Sequence, residues 1–204
     1  MSFSRESKEE ILKTDIEDDS AALAFLAGLI YSCGEIEKLN NKIYVKIVSD
    51  VEKLFGFCQK IIKRLYGNDV EPEISENYSV NKNTFYEISF EVEKFKSLLL
   101  DVGVITYSES GLSFNFKIDK NLILEEEAKR AFIKGVYIGA STSSIKLSSD
   151  TYQSCGSGYH LEFVSKSHDF LLELSSILAE YNIIGKIFER KNSYVFYIKD
   201  VNTI

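Results

Sequence analysis

The chain has 204 residues, 45% of them hydrophobic and 13% aromatic, with 27% charged and a single proline. That is enough apolar material for one sizeable core or two small ones, and it excludes a disordered chain. The formal net charge of -7 excludes a domain that holds DNA by its overall charge. Met1 to Glu6 carry no hydrophobic run of the kind a signal peptide needs. Three cysteines, Cys33, Cys58 and Cys155, are widely spaced and form no Cys-x-x-Cys metal pair, which fits a reduced, cytoplasmic setting. Cys33 and Cys58 read as small buried hydrophobes, and Cys155, among Ser154, Gly156 and Gly158, as a loop residue.

In chain order, residues 4–14 read as a short amphipathic helix with Ser4 as its cap and Ile11 and Leu12 turned inward. Residues 20–33 read as a buried helix, apolar on nearly every side. At about eleven apolar residues it is too short for a bilayer, which needs about twenty. Asp18, Asp19 and Ser20 are natural N-caps, and Gly34 suits a left-handed helix end. Ala24, Ala27 and Gly28 leave a bare strip of backbone on which another helix can lie closely. Residues 35–48 read as a hairpin turning at Asn40-Asn41, with Ile43, Val45 and Ile47 on one face. A helix over 50–66, capped by Asp50 and ended by Gly67, precedes strands near 71–77 and 83–90 and a helix over 91–101.

Residues 103–124 read as a connector, with a turn at Ser108 to Gly111 and a brief strand at 112–116. Glu125, Glu126 and Glu127 open a second helix that runs to about residue 140, where acids favour the N-terminal dipole. Strands follow near 143–148 and 158–165, around a polar loop at 149–158. A helix over 168–181 leads to strands near 186–190 and 193–199, joined at Lys191-Asn192. The chain stops at Ile204 as a new segment begins, so a fragment of a longer protein is expected.

The pattern repeats. Phe132 to Ser141, with Gly135 and Gly139, matches the glycine-marked stretch around Gly28, and the strand pairs that follow each copy also match. This predicts one domain of two halves, 1–102 and 125–204, each giving one helix to a central pair. The helix contact is expected at Ala24, Ala27, Gly28, Gly135 and Gly139.

Leu26-Ala27-Gly28-Leu29-Ile30 resembles the start of the signature of the LAGLIDADG homing endonucleases. The resemblance implies an α+β pseudo-twofold fold of two αββαββα-type halves. A closer resemblance is to the WhiA family of sporulation regulators. It rests on Ser2-Phe3-Ser4, Lys8-Glu9-Glu10, Leu65-Tyr66-Gly67, Lys129 to Gly135, Tyr159 to Val164 and Glu189 to Lys199. It implies a bacterial transcription regulator of sporulation or cell division, bound to DNA mainly through a helix-turn-helix domain absent from this chain.

In active enzymes of the endonuclease family the eighth signature residue is an acid, and the two acids hold Mg²⁺ with oxygen ligands. Here those positions are Cys33 and Ala140, which supply none. The sixth positions are Tyr31 and Ile138, and Glu35 lies beyond Gly34 and is expected to point elsewhere. A non-enzyme with no metal and no cofactor is therefore expected. His160 reads as a paired surface residue beside Glu162, and His168 as the solvent-facing opening of a helix. Strand alternation places Lys46, Lys146, Lys186 and Arg190 on the DNA-facing side that the resemblance implies, interrupted by Glu37, Glu87 and Glu162. A mixed-sign face binds duplex DNA weakly. Three readings follow: a non-catalytic regulator module with accessory DNA contact or partner docking, a protein-interaction or sensing scaffold, and a metal-dependent endonuclease.

Overall fold

The structure, a computed structural model, describes residues 3–78, 84–144 and 160–199. The expected positions of Lys146, Cys155 and the loop 149–158 lie outside the described residues. Helix α1 spans Phe3–Ile11 and stops short of the expected residue 14. The chain bends because Ile16 must be buried, and Arg64 Nη1 holds the Ile16 carbonyl at 2.5 Å.

Helix α2 spans Asp19–Cys33, and the Asp18 carboxylate accepts from the Ala21 N–H at 2.7 Å. Gly34 does not take the left-handed turn expected of it. Its φ of -71° and ψ of 137° lead straight into strand β1, Gly34–Leu39. Glycine is needed there for space, since a Cβ would lie 2.4 Å from the Ile30 carbonyl oxygen and 3.2 Å from the Phe116 ring. Strand β2, Lys42–Ser49, follows a two-residue turn in which Asn40 and Asn41 have φ of 50° and 62°. Two positive φ values match the twist of the flanking strands.

Helix α3 spans Lys53–Tyr66, and Asp50 does not cap it. The linker is anchored by fully buried Val51, whose N–H is taken by Ser49 Oγ at 3.2 Å, so the helix starts later. Strands β3 (Glu73–Tyr78) and β4 (Thr84–Glu91) lead to helix α4, Lys96–Asp101, which begins five residues later than the expected residue 91. A turn intervenes because Phe95 folds back edge-on against Phe90, ring centroids 5.2 Å apart. The connector forms a hairpin, β5 (Ile105–Ser108) and β6 (Gly111–Phe114), then a 3-10 turn at Lys120–Ile123.

Helix α5 spans Glu126–Ala140 and runs directly into strand β7, Ser141–Ser144. Strand β8 is His160–Ser165, and helix α6, His168–Ala179, is capped by Ser167, which accepts from the Phe170 N–H at 3.2 Å. Strands β9 (Lys186–Arg190) and β10 (Ser193–Ile198) close the described chain, with Lys191 at φ 57° in their turn.

The two antiparallel four-stranded sheets have equivalent orders, β1-β2-β4-β3 and β7-β8-β10-β9. Each half thus repeats helix, two strands, helix, two strands. Only the first has further helices, α1 before the repeat and α4 after it, among the described residues. The described residues divide into two compact units, one within 8–139 and the other within 1–7 and 140–204.

Inside the first unit α2 and α5 meet backbone to backbone. A Cβ on Gly28 would lie 2.2 Å from the Phe132 carbonyl oxygen, and one on Gly135 would lie 2.2 Å from the Phe25 carbonyl oxygen and 2.8 Å from the Leu29 nitrogen. The contact is reciprocal, so neither helix can carry a side chain there. Further along, a Cβ on Gly139 would lie 2.2 Å from Ser32 Oγ. Ala24 and Ala27 are fully buried in the same helix, and the fully buried rings of Phe25 and Phe132 flank the crossing.

These distances order three glycine substitutions by effect. Gly28→Ala and Gly135→Ala should each destabilise by about 1–3 kcal/mol, because backbone must move to admit the methyl group. Gly56→Ala in α3, where a Cβ meets nothing within 4 Å, should stabilise, by about 0.5–1 kcal/mol from helix propensity. Denaturant melts of the three variants check both signs.

Candidate functional site

The site is built where α2 ends and β1 begins. Cys33 occupies the last turn, its Sγ donating to the Leu29 carbonyl oxygen at 3.2 Å. The residue keeps partial solvent exposure, yet enough protein surrounds the sulfur for burial to push the thiol up to about 12. Ser32 and the Lys8 ammonium pull it down and Glu35 raises it further, all by less than burial does. At neutral pH the group is a neutral thiol. Ala140 closes α5 and offers no donor atom. Tyr31 is buried, donates its hydroxyl to the Val102 carbonyl oxygen, and is pushed above the usual phenol range, first by burial. Ile138 is buried. Among the described residues, no group of three or more His, Cys, Asp or Glu is placed to hold a metal ion.

One group here was not legible in the sequence. Lys8, in the short first helix, is buried, and burial lowers its pKa while nearby Asp50 and Cys33 raise it. Lysine is an exposed residue by default. The available signal was its four-residue spacing from buried Leu12, which puts both on one helical face.

Glu35 does not point away as expected. It lines a hollow of about 410 Å³ together with Cys33, Glu37, Lys46, Val48 and Glu87. The cause is the extended backbone at Gly34: alternation along β1 then places Glu35, Glu37 and Leu39 on the face away from the helices. Register places Tyr44, Lys46 and Val48 of β2, Glu87, Ser89 and Glu91 of β4, and Glu73 and Ser75 of β3 on that same face.

Lys46 is held between two strands by carboxylates, Glu37 at 2.5 Å and Glu87 at 2.8 Å. The Glu37 contact, then that of Glu87, holds its ammonium above the usual lysine range. Lys42 is likewise engaged by Glu91 at 2.9 Å. Five carboxylates (Glu35, Glu37, Glu73, Glu87, Glu91) thus face two lysines, both engaged.

In the second unit, Arg190 makes a bidentate contact with Glu162, at 2.9 and 3.3 Å, and Lys186 is exposed on the same face. His160 stacks on Tyr197 with ring centroids 6.0 Å apart. His168 is exposed and tilts against Tyr194 at 5.0 Å. Among the described residues, neither histidine has a nucleophile or a second base in ring contact with it.

The duplicated topology and the paired glycine helices define a LAGLIDADG homing-endonuclease-like α+β fold. Solved structures agree. The N-terminal LAGLIDADG domain of DUF199/WhiA aligns with a TM-score of 0.67 at 19% identity, covering 99% of this chain and 86% of that one. The full-length DUF199/WhiA from Thermatoga maritima gives 0.64 at 19% identity, covering 100% of this chain and 59% of that one. The homing endonuclease I-DmoI in complex with DNA and Mn gives 0.54 at 18% identity, covering 89% and 90%.

Residues 19–105 match the WhiA N-terminal LAGLIDADG-like domain, and residues 129–204 match the WhiA LAGLIDADG-like domain. The chain belongs to the WhiA family. A Clostridium botulinum relative named probable cell division protein WhiA is 33% identical over 201 residues, which are 98% of this chain and 61% of the relative. The Clostridium tetani relative of the same name is 28% identical over 202 residues. The chain therefore spans about three fifths of the length of these relatives.

Two measurements check the site. Cys33 should resist alkylation at pH 8 in the folded protein and react on denaturation, read by mass mapping. Its folded pKa near 12 lies above the unfolded thiol value of about 8.5. The folded state therefore holds the proton longer, and Cys33 should cause stability to fall as pH rises above about 8.5. Cys33→Ala should make that fall shallower, leaving the share contributed by buried Cys58, whose thiol burial also pushes up.

Proposed function

We propose that this chain is the non-catalytic LAGLIDADG-like module of a WhiA-type bacterial transcription regulator acting in sporulation or cell division. Its work is accessory contact with DNA or docking of partners, in the cytoplasm at the nucleoid. Sequence-specific DNA recognition falls mainly to a helix-turn-helix domain outside these residues, as the family resemblance implies. One observation carries the reading: the eighth signature positions are Cys33, a neutral thiol, and Ala140, where phosphodiester cleavage needs carboxylates. Hard Mg²⁺ takes oxygen ligands, and neither residue offers one.

What DNA contact remains is weak and unevenly distributed. Lys46 contributes little, because its charge is already spent on Glu37 and Glu87. Arg190 is partly engaged by Glu162, while Lys186 is exposed. Lys146 stays a candidate from its place in the sequence alone. The second reading, a docking scaffold without DNA contact, is favoured by the acid excess on the first sheet. The endonuclease reading is the weakest, since it requires the missing carboxylates.

A supercoiled plasmid incubated with the protein and Mg²⁺ or Mn²⁺ should stay uncut, and metal-dependent nicking would overturn the proposal. In duplex binding, Lys46→Ala should change affinity by less than about twofold. Lys186→Ala should weaken it and lower the salt slope by about one. Equal effects of the two substitutions would refute the assigned division of charge.

A further inference from the structure

The open face of the second sheet is aromatic where that of the first is not. Register and alternation put His160 and Glu162 of β8, Tyr197 of β10, and Lys186, Phe188 and Arg190 of β9 on one side, opposite buried Phe163, Phe196 and Ile198. Three of these rings make a row across adjacent strands. The His160 ring centroid is 6.0 Å from that of Tyr197, and the Phe188 centroid is 6.3 Å from it on the next strand. Phe188 stays 42% exposed, and His160 and Tyr197 are half-buried.

The duplication supplies an internal control. Each sheet starts at the residue after its central helix, Gly34 in one and Ser141 in the other. Counted from there through the paired strands, Lys186 stands where the first sheet has Glu73, Phe188 where it has Ser75, and Tyr197 where it has Ser89. The same topology therefore forms with hydroxyl and acidic side chains at these places. Cross-strand aromatic pairs do stabilise a sheet. That gain requires neither a ring left in water nor a lysine in place of an acid beside it.

Cations frame the rings. Lys186 and Arg190 flank Phe188 on β9, each two residues away, or about 7 Å along a strand. Lys186 is exposed and pairs with no acid among the described residues. Glu162 holds Arg190 in a bidentate pair, which fixes the guanidinium, and a guanidinium plane also stacks bases. Aromatic rings on an open sheet, with cations alongside, take unpaired bases on the rings and phosphates on the cations. A duplex gains nothing from the rings, because its bases lie about 3.4 Å apart on one another and keep their faces covered.

We propose that this face binds single-stranded DNA, with unpaired bases stacked on Phe188 and Tyr197 and phosphates held by Lys186 and Arg190. The inference rests on the reading of accessory DNA contact and deepens it by naming the form of the DNA. His160 ends the row and offers one further ring.

The test compares a labelled oligothymidine of about 12 nucleotides, within the range of single-strand sites, with the duplex it forms with oligoadenine, by anisotropy at one salt concentration. The single strand should bind more tightly by about fivefold or more. Phe188→Ser installs the side chain that the first sheet carries at the matching place. It should weaken single-strand binding by about fivefold or more, and change duplex binding by less than about twofold. Lys186→Ala should weaken binding of both forms. The chain has no tryptophan, so Phe188→Trp adds a fluorophore at this face alone. Oligothymidine should quench it and the duplex should leave it unchanged, which decides the matter even if Phe188→Ser folds poorly. A preference for the duplex, equal losses of both forms in Phe188→Ser, an unquenched tryptophan, or tighter binding of oligouridine than of oligothymidine would overturn the proposal. The first of these leaves accessory DNA contact standing, whereas binding of neither form removes both.

Discussion

The fold depends on one contact: the backbones of α2 and α5 touching at Gly28 and Gly135. Each glycine lies against a carbonyl of the opposite helix, Phe132 for Gly28 and Phe25 for Gly135. At that separation a single methyl group is too large, so the two helices have one mutual placement. Close approach also allows weak Cα–H···O contacts between the helices. The flanking rings of Phe25 and Phe132 add the apolar burial that holds the pair together. Each helix then passes into a strand without a loop, α2 into β1 at Gly34 and α5 into β7 at Ser141.

The chemistry of the site follows from the same junction. Where α2 ends, the backbone leaves in an extended conformation, so alternation starts at once and sends Glu35 to the open face beside Cys33. The hollow they share contains acids, Glu35 and Glu37 from β1 and Glu87 from β4. Glu37 and Glu87 are committed to an ammonium. An internal cation thus stands among these acids. Lys8 brings a second ammonium near Cys33, from beneath the surface. Both features oppose the accumulation of negative charge that a pair of divalent ions requires.

Family membership and residue chemistry point the same way but are separate observations. Similarity to DUF199/WhiA structures and to I-DmoI gives the fold, at identities of 18–19%. It does not say which surface is used. That comes from the side chains of this chain, and they make the two sheets unlike. The first has an acid excess with both lysines engaged, and the second offers exposed Lys186 beside the Arg190–Glu162 pair and the His160–Tyr197 stack. Duplication of a fold need not duplicate a binding face, because strand alternation preserves which positions are exposed and leaves their chemistry unconstrained.

Strand β5 and the 3-10 turn of the connector were not legible in the sequence, whereas the order of elements outside the connector, the duplication, the glycine-marked helices and the absence of acids at the eighth positions were. These features are local: apolar periodicity, turn residues such as Asn40-Asn41, and residue identity at a motif position. Element ends were not, because tertiary burial overrides local preference. Ile16, Val51 and Phe95 each bend the chain where propensity alone would continue or begin a helix. Charge pairing was only half legible. Alternation could place Lys46 on the open face, but its union with Glu37 and Glu87 joins residues up to fifty positions apart, and only the sheet register brings them together. The burial of Lys8 and the turning of Glu35 into the hollow beside Cys33 belong to the same class. The first depends mainly on neighbours distant in the chain, with only the spacing to Leu12 as a local sign, and the second on a backbone angle at Gly34 that no local pattern encodes.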